Sequence, residues 1–206
     1  MGRHRQFGEN EALNSALAVF WQKGYEGTSL DDLTRATGVA RPGLYSAFGN
    51  KEQLFLRALD LYEAKHMGFM SDALTEPTSR QVAERILNGS VLLQTQNSSH
   101  PGCLGINGAL ACSEDAENIR RELIQRRAAN EEALRQRFEK AKREGDLDES
   151  QDCEALASYI MVLSLGMAIQ AKAGATRDAL KSTIKLAMTT WPSSAKQKTK
   201  RVVDKS

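Results

Sequence analysis

The stretch from Thr28 to Lys51 constrains the fold of this chain more than any other. It predicts two short helices joined by one tight turn, with a third helix directly behind them. Thr28 and Ser29 supply hydroxyl groups for an N-cap, and Asp32 stands where the return contact of a capping box belongs. Gly38 can adopt the positive φ that a sharp turn between helices requires. The stretch therefore predicts a compact helical hairpin.

The second helix of this hairpin has an apolar back and a polar front. Leu44 and Phe48 are four residues apart and share one side, whereas Arg41 and Tyr45 fall elsewhere. A helix-turn-helix presents its recognition helix to the major groove of DNA in this way. We therefore predict a DNA-binding helix-turn-helix at about residues 30–49.

Three runs resemble the N-terminal domain of TetR-family transcriptional regulators: Gly24-Tyr-Glu-Gly-Thr-Ser-Leu-Asp-Asp-Leu, Ala36-Thr-Gly-Val-Ala and Leu44-Tyr-Ser-Ala-Phe-Gly-Asn-Lys-Glu-Gln-Leu. The resemblance covers about residues 10–60, and the turn glycine, helix cores and Tyr-x-x-Phe-x-x-Lys-Glu segment agree in order and spacing. Two positions depart from the family pattern. Ala40 replaces the usual capping serine, which weakens a cap by about 1 kcal/mol, and Pro42-Gly43 replaces the commoner Gly-Thr. Neither departure disturbs the helix core; both bear on base preference.

The resemblance implies an all-α protein in which a three-helix helix-turn-helix domain is joined to a helical C-terminal domain for ligand binding and dimerisation. We expect the DNA-binding domain at residues 1–50, the helical domain at 51–192 and a basic, disordered tail at 193–206. Periodicity and breaker residues predict that the fourth helix runs from about 51 to Met70, followed by helices at about 78–96, 103–113, 115–144, 150–173 and 175–191.

The expected DNA contacts come from a basic N-terminal arm, from the hairpin and from the start of the fourth helix. Hydroxyl groups and helix N-termini bind phosphate, and an arginine reaches either phosphate or a guanine edge. A bare glycine lets the helix approach the groove closely. For the arm, a solvated terminus is the alternative. The candidate residues are Arg3, Arg5, Thr28, Ser29, Arg41, Pro42, Gly43, Tyr45, Ser46 and Lys51.

The C-terminal domain is expected to pair with a second copy and to hold a small-molecule effector. Small residues between Ala155 and Ala175 suit close helix packing, and the resemblance implies that the last two long helices form a four-helix dimer interface. An ordinary intramolecular core is the alternative. Candidates for an apolar effector cavity, each of which could instead be plain core, are Met67, Met70, Ile86, Cys103, Ile106, Leu110 and Tyr159.

Cys103 leaves several interpretations open. It follows His100-Pro-Gly and is expected to begin a helix, where the helix dipole favours a reactive thiolate. It could sense oxidants or electrophiles, form half of a metal site with His100, or be a buried structural cysteine. A cysteine-dependent enzyme with His100 as base is the alternative from another class, although proximity in sequence is weak support. We predict no catalytic residue, no cofactor and no metal.

Composition narrows the function class. The net charge of +2 over 206 residues excludes a nonspecific polycation, so a DNA footprint must come from local clustering. Three cysteines, an odd number, argue against a disulfide framework, and the N-terminus lacks the apolar region of a secretory signal. No apolar run is expected to approach the ~18 residues that span a bilayer. These features favour a cytoplasmic protein, and the resemblance implies a ligand-responsive homodimeric repressor released from a palindromic operator by its effector; an activator would fit the same fold.

Overall fold

The computed structural model describes residues 8–96, 101–107 and 116–192, and the regular structure in these ranges is entirely α-helical. The helices are α1 (Glu9–Lys23), α2 (Leu30–Thr37), α3 (Arg41–Phe48), α4 (Lys51–His66), α5 (Gly68–Ala73), α6 (Ser79–Thr95), α7 (Leu104–Asn107), α8 (Glu117–Arg143), α9 (Cys153–Lys172) and α10 (Arg177–Thr189). We call α1–α3 the head and α5–α10 the body; α4 connects them. The expected positions of Arg3, Arg5, His100, Leu110 and the tail lie outside the described residues.

Local capping interactions fix the helix starts of the head. The Ser29 hydroxyl accepts the Asp32 N–H at 3.0 Å, and the Asp32 carboxylate accepts the Ser29 N–H at 3.0 Å. Asn50 and Gln53 form a second capping box at the start of α4. Gly38 ends α2 in the left-handed conformation with φ 69°. These contacts confirm the predicted hairpin and its turn.

The fourth helix is shorter than expected, because it ends at His66 instead of continuing to Met70. Met67 has φ −102° and ψ 6°, outside helical geometry, and α5 then starts at Gly68. The change of direction brings Phe69 against Gly89 of α6. A Cβ atom at Gly89 would lie 2.4 Å from the Phe69 ring, so only glycine permits this approach.

The apolar core of the head continues into the body. A single cluster of buried side chains includes Phe20 and Phe55, whose rings meet edge to face at 5.1 Å, and reaches Leu104, Ile119 and Leu123 of the body. A second cluster lies within the body, between α6 and α8–α10. The head therefore packs directly on α7, and the same cluster continues to α8.

Helix α9 leaves an unpaired apolar stripe on the surface. Exposed residues recur at alternating four- and three-residue spacing, and they are Ala155, Tyr159, Val162, Gly166, Ile169 and Ala173. By length and composition alone α9 could cross a membrane, with a mean hydropathy of 1.4, which corrects the expectation that no segment approaches this length. A third of it is buried in the body, and core helices of soluble proteins pass the same test.

Candidate nucleic-acid interface and effector cavity

Helix α3 shows the two-sided character that its sequence predicts. Leu44 and Phe48 are buried in the core of the head. The opposite side is exposed and carries Arg41, Pro42, Gly43, Tyr45 and Ser46. A hydrophobic back and an exposed polar front leave this helix available to a groove of DNA.

Arg57 of α4 fixes the end of α3, a role that the sequence analysis missed. Its Nη1 donates to the carbonyl oxygen of Ala47 at 3.2 Å, and its Nη2 donates to Glu9 Oε1 at 2.6 Å. The guanidinium also lies 4.8 Å from the centre of the Phe48 ring. These partners are 10 and 48 residues away, so helical spacing gives no signal for them. Arg57 therefore joins α1, α3 and α4 beside the exposed face of α3.

Lys51 stands at the first turn of α4 with its ammonium 4.4 Å above the ring of Tyr25. Burial lowers the pKa of Lys51, and the charge of Glu26 opposes that shift. The Lys51 ammonium group thus lies where the loop after α1 meets the start of α4.

Two predicted contact residues of the hairpin have structural roles. Thr28 is 1% exposed and its hydroxyl donates to the carbonyl oxygen of Gly24 at 2.6 Å, so the expectation that this hydroxyl faces DNA is wrong. Ser29 is exposed, but its hydroxyl is occupied by Asp32 in the capping box. The capping pattern of the sequence gave no signal for the hydrogen bond from Thr28 to Gly24, which closes the loop after α1.

Gly43 also has a packing role. A Cβ atom at Gly43 would lie 2.9 Å from Cγ1 of Val39, so a larger residue would push α3 away from the turn that precedes it. The glycine therefore keeps α3 close to the turn in addition to leaving its outer face bare.

A cavity of about 70 Å³ lies between α4, α5, α6, α8 and α9. Its walls are mainly apolar and include the predicted residues Met67, Met70, Cys103 and Ile106, with Leu59, Tyr62, Phe69, Leu93, Leu123, Met161 and Leu165. The polar groups in the walls belong to Glu63, Ser90, Gln94, Arg126, Arg127, Asn130 and Ser164. A neighbouring groove of about 490 Å³ shares Met67, Met70, Arg126 and Asn130 with this cavity.

Two of the predicted cavity residues lie elsewhere. Ile86 lines the neighbouring groove from α6 instead of the cavity. Tyr159 is 38% exposed and belongs to the outer stripe of α9, because the face of that helix which reaches the cavity carries Met161 and Leu165. Apolar character alone did not distinguish the two faces of α9.

The residues just before α7 connect the cavity to the head. Trp21 Nε1 of α1 donates to the carbonyl oxygen of Gly102 at 3.1 Å. The Tyr62 hydroxyl donates to Cys103 Sγ at 3.4 Å, and the Tyr62 ring meets the Trp21 ring edge to face at 4.8 Å. Burial raises the pKa of Tyr62, and Cys103 adds to the shift, so the phenol stays protonated. A movement of the cavity wall at Cys103 would therefore reach α1 through Gly102, Tyr62 and Trp21.

Arg126 ties α8 to the connecting helix at the mouth of the cavity. Its guanidinium pairs with Asp60 and Glu63 of α4 at 2.7 Å each, and with Glu122 of its own helix at 2.8 Å. Burial disfavours its charged form, but the three carboxylates more than offset this, and the pKa of Arg126 is raised. The charge of Arg126 is thus matched within the protein.

A metal site at Cys103 would require further His, Cys, Asp or Glu ligands beside it. Within residues 8–96, 101–107 and 116–192, no three His, Cys, Asp or Glu side chains are grouped as a metal site would require. Cys153 is buried at the start of α9, and burial raises the pKa of its thiol. His100, the proposed partner of Cys103, lies outside the described residues.

The head is a helix-turn-helix with an exposed recognition helix, and it packs on a helical body that encloses an apolar cavity. This combination is typical of a DNA-binding transcriptional regulator. Residues 12–58 match the family model for bacterial regulatory proteins of the tetR family, and residues 83–187 match the tetracyclin repressor-like C-terminal domain. The chain belongs to the TetR family. Both the predicted resemblance and the predicted all-α architecture are confirmed.

Relatives of similar length support this assignment. The chain is 34% identical over 197 residues to the HTH-type transcriptional repressor ComR of Escherichia coli K12, covering 93% of this chain and 92% of ComR. It is 30% identical to the uncharacterized HTH-type regulator YezE of Bacillus subtilis 168, covering 91% and 98% of the two chains. A solved structure of a cysteine mutant of the TetR-family regulator CifR, complexed with 26-bp operator DNA, superposes with a TM-score of 0.87 at 34% identity; the match covers 92% of this chain and all of that one.

Proposed function

We propose that this protein is a homodimeric transcriptional repressor that binds a palindromic operator and leaves it when a small-molecule effector enters the body. The observation that carries the proposal is α3, whose polar face is exposed while Leu44 and Phe48 hold its other face in the head. The repressor ComR and the operator complex of CifR support the same function. The proposal includes no catalytic step and places the protein in the cytoplasm with its DNA.

In this proposal the exposed face of α3 lies in the major groove. Arg41, Tyr45 and Ser46 face bases and phosphates, and Pro42-Gly43 permit close approach. Lys51 contacts a phosphate from the start of α4. The arm with Arg3 and Arg5 follows the backbone or the minor groove. The proposed boundaries remain 1–50 for DNA binding and 51–192 for effector binding and dimerisation, followed by the tail 193–206.

The second copy pairs through α9 and α10. The exposed stripe of α9 has the spacing of a helix-packing seam, and Val162 and Ile169 on it are 62% and 48% exposed. Leu186 of α10 adds a further apolar side chain, 69% exposed. A Cβ atom at Gly166 would meet no other part of the described residues within 4 Å, so they leave space beside it for a partner helix. A two-fold dimer places its recognition helices about 34 Å apart, one turn of DNA.

Effector binding changes the spacing of the two heads. The ligand displaces the walls of the cavity, and α4 together with Gly102 and Cys103 transmits the movement to α1. A coupling free energy of about 1–3 kcal/mol between ligand and DNA gives a useful switch.

The test is selection of operator fragments from genomic DNA by the purified protein, followed by binding of Lys51→Ala to the best fragment. Lys51→Ala should weaken binding and reduce the salt dependence by about one counterion, because one phosphate contact is lost. Lys65→Ala is the matched control, since Lys65 lies on the same helix and hydrogen-bonds Asn14 at 2.5 Å. Failure to enrich any palindrome would refute the function, and equal effects of both variants would refute the Lys51 contact.

A thiol sensor on the same fold is the second candidate, favoured by the position of Cys103 Sγ in the cavity wall beside Tyr62. In this version an oxidant or electrophile modifies Cys103 and releases the DNA. Cys103→Ser should bind the operator normally and ignore the reagent, whereas Cys153→Ser, a buried control, should respond like the wild type. An unchanged response of Cys103→Ser would remove this candidate.

A further inference from the structure

A buried amide in the cavity wall lacks a hydrogen-bond partner on one side. Gln94 of α6 is 3% exposed, and its Nε2 donates to the carbonyl oxygen of Ser164 at 3.1 Å. Its Oε1 has no partner among the described residues. The hydroxyls of Ser90 and Ser164 pair with each other at 2.7 Å. Gln94 thus lines the cavity with a buried acceptor that the described residues leave unpaired.

The amide N–H of Gln94 has a structural role, since it joins α6 to Ser164 of α9, but no contact among the described residues accounts for its Oε1. The link between α6 and the segment before α7 is made by the main chain, since the carbonyl oxygen of Gln94 accepts the Gly102 N–H at 3.1 Å. A methionine side chain would fill the same volume without an unpaired oxygen. Native proteins rarely leave a buried polar atom unpaired, and each exception calls for an explanation. A ligand that donates a hydrogen bond to Oε1 provides one.

The surrounding charges favour a neutral ligand. The walls are mainly aliphatic, aromatic and methionine side chains. Arg126 is already matched by Asp60, Glu63 and Glu122. Arg127 also lines the cavity, and its Nε donates to the carbonyl oxygen of Leu123, so a carboxylate ligand is the competing class that an experiment must exclude.

The size of the cavity favours a compact ligand. About 70 Å³ is less than half of the roughly 150 Å³ of an engineered cavity that admits benzene. Met67, Met70 and Met161 line the cavity, and methionine side chains change shape at low cost. Movement of Met67 and Met70 would join the cavity to the neighbouring groove, because these residues line both. A single small ring therefore enters only when these methionine side chains move.

We propose that the effector is a small, uncharged, mainly apolar molecule with a hydroxyl or amide N–H group that donates to Gln94 Oε1. This proposal rests on the proposed function, because it identifies the chemical class of the effector for the same cavity. A ligand of equal size without a donor would bury the same apolar area, but Oε1, which is already buried, would stay unpaired. The site therefore discriminates against it.

The test compares phenol, toluene and benzoate as probes of the full-length protein, with binding measured by calorimetry in the absence of DNA. Phenol and toluene have nearly the same size, and only phenol donates a hydrogen bond. Wild-type protein should bind phenol about tenfold or more tightly than toluene, and benzoate most weakly. Gln94→Met should remove the preference for phenol while binding toluene at least as well as the wild type. Gln136→Met, an exposed glutamine of α8 outside the cavity, should keep the preference.

Each contrary result overturns a defined part of the proposal. Equal affinity for phenol and toluene, or a preference for phenol that survives in Gln94→Met, would refute the role of Gln94. Strongest binding of benzoate would replace the neutral class by an anionic one centred on Arg127. Binding of none of the three would refute the ligand class. Retention of the protein on its operator is measured separately, so a failure of the ligand class is distinguished from a failure of DNA binding.

Discussion

Several polar residues in and beside the head hold α3 in position and do not themselves add to its exposed face. Arg57 clamps its last turn, and Asp32 is held by Lys23 at 2.6 Å and by the capping box with Ser29. Thr28 turns inward to Gly24. The exposed face of α3 is thus supported by neighbouring side chains that need not touch DNA themselves.

Replacing Arg57 with methionine should weaken operator binding about tenfold. The variant keeps the apolar stem but loses the hydrogen bonds to Ala47 and Glu9 that hold α3. Fluorescence anisotropy with labelled operator over a range of salt concentrations measures the effect. The salt slope should stay that of the wild type; a decrease by one counterion would mean that Arg57 contacts a phosphate itself. Arg80→Met, in an exposed ion pair of α6, is the control.

Asp32 makes the stability of the head depend on acid pH. The hydrogen bond from Lys23, followed by those from Ser29, holds the pKa of Asp32 well below its ordinary value of 3.8. Its stabilising effect is therefore fully present above pH 3.8 and is lost as the pH falls toward the folded-state pKa. Asp32→Asn should melt at a lower temperature than the wild type at pH 7, with a smaller difference at pH 2.5. Thermal unfolding by circular dichroism measures both values.

The matched control for this experiment is Asp31→Asn, on the same turn of α2. The Asp31 carboxylate is 84% exposed and lies 3.9 Å from Arg41. This variant should change the melting temperature little at either pH. A deficit of Asp32→Asn that is the same at both pH values would contradict the assigned role.

At the scale of helices, the sequence predicts starts better than ends. Helix starts could be predicted at Ser29 and Asn50, because a capping box is a local interaction of four residues. The end of α4 at His66 was not predicted, and the contact that follows it, between Phe69 and Gly89, joins residues twenty apart in the chain. Apolar patterning correctly indicated that Met67, Met70, Cys103 and Ile106 line the cavity. It gave no signal for Gln94, because this residue is polar although it lies on the buried face of α6.

A change in the cavity should reach α1 through the hydrogen bond from Trp21 to Gly102. Trp21→Phe keeps an aromatic ring against Tyr62 but removes the donor to Gly102. Alkylation of Cys103 with iodoacetamide should lower operator affinity in the wild type, and the loss should be about tenfold smaller in Trp21→Phe. Operator titrations before and after alkylation give both losses, and Cys103→Ser corrects for reaction at other cysteines. An identical loss in both proteins would exclude this hydrogen bond as the coupling.

At the scale of the whole molecule, the exposed stripe of α9 and the exposed face of α3 serve one function in the proposed repressor. A palindrome is read only when two heads are held at a fixed distance, so the pairing surface sets DNA affinity. The described apolar surface is concentrated where this requires it, with Val162, Ile169 and Leu186 on the last two helices.

Val162→Asp should therefore give a monomer and reduce operator affinity at least tenfold, because a charge in the seam cannot be paired. Analytical ultracentrifugation and operator titration measure the two effects. Leu92→Asp is the control, since Leu92 is 52% exposed on α6 away from the stripe. If Val162→Asp still sediments as a dimer, the partner binds elsewhere; if it is monomeric with full affinity, the DNA is bound one head at a time.

The buried cluster that runs from Phe20 to Leu104, Ile119 and Leu123 has a practical consequence for protein engineering. Transplanting residues 1–50 onto the body of another regulator would expose half of this shared interior and leave the indole of Trp21 facing a foreign backbone. A chimera that redirects the protein to a new operator should accordingly exchange only the outward side chains of α3, or carry α4, the segment 101–107 and the start of α8 along with the transplanted helices.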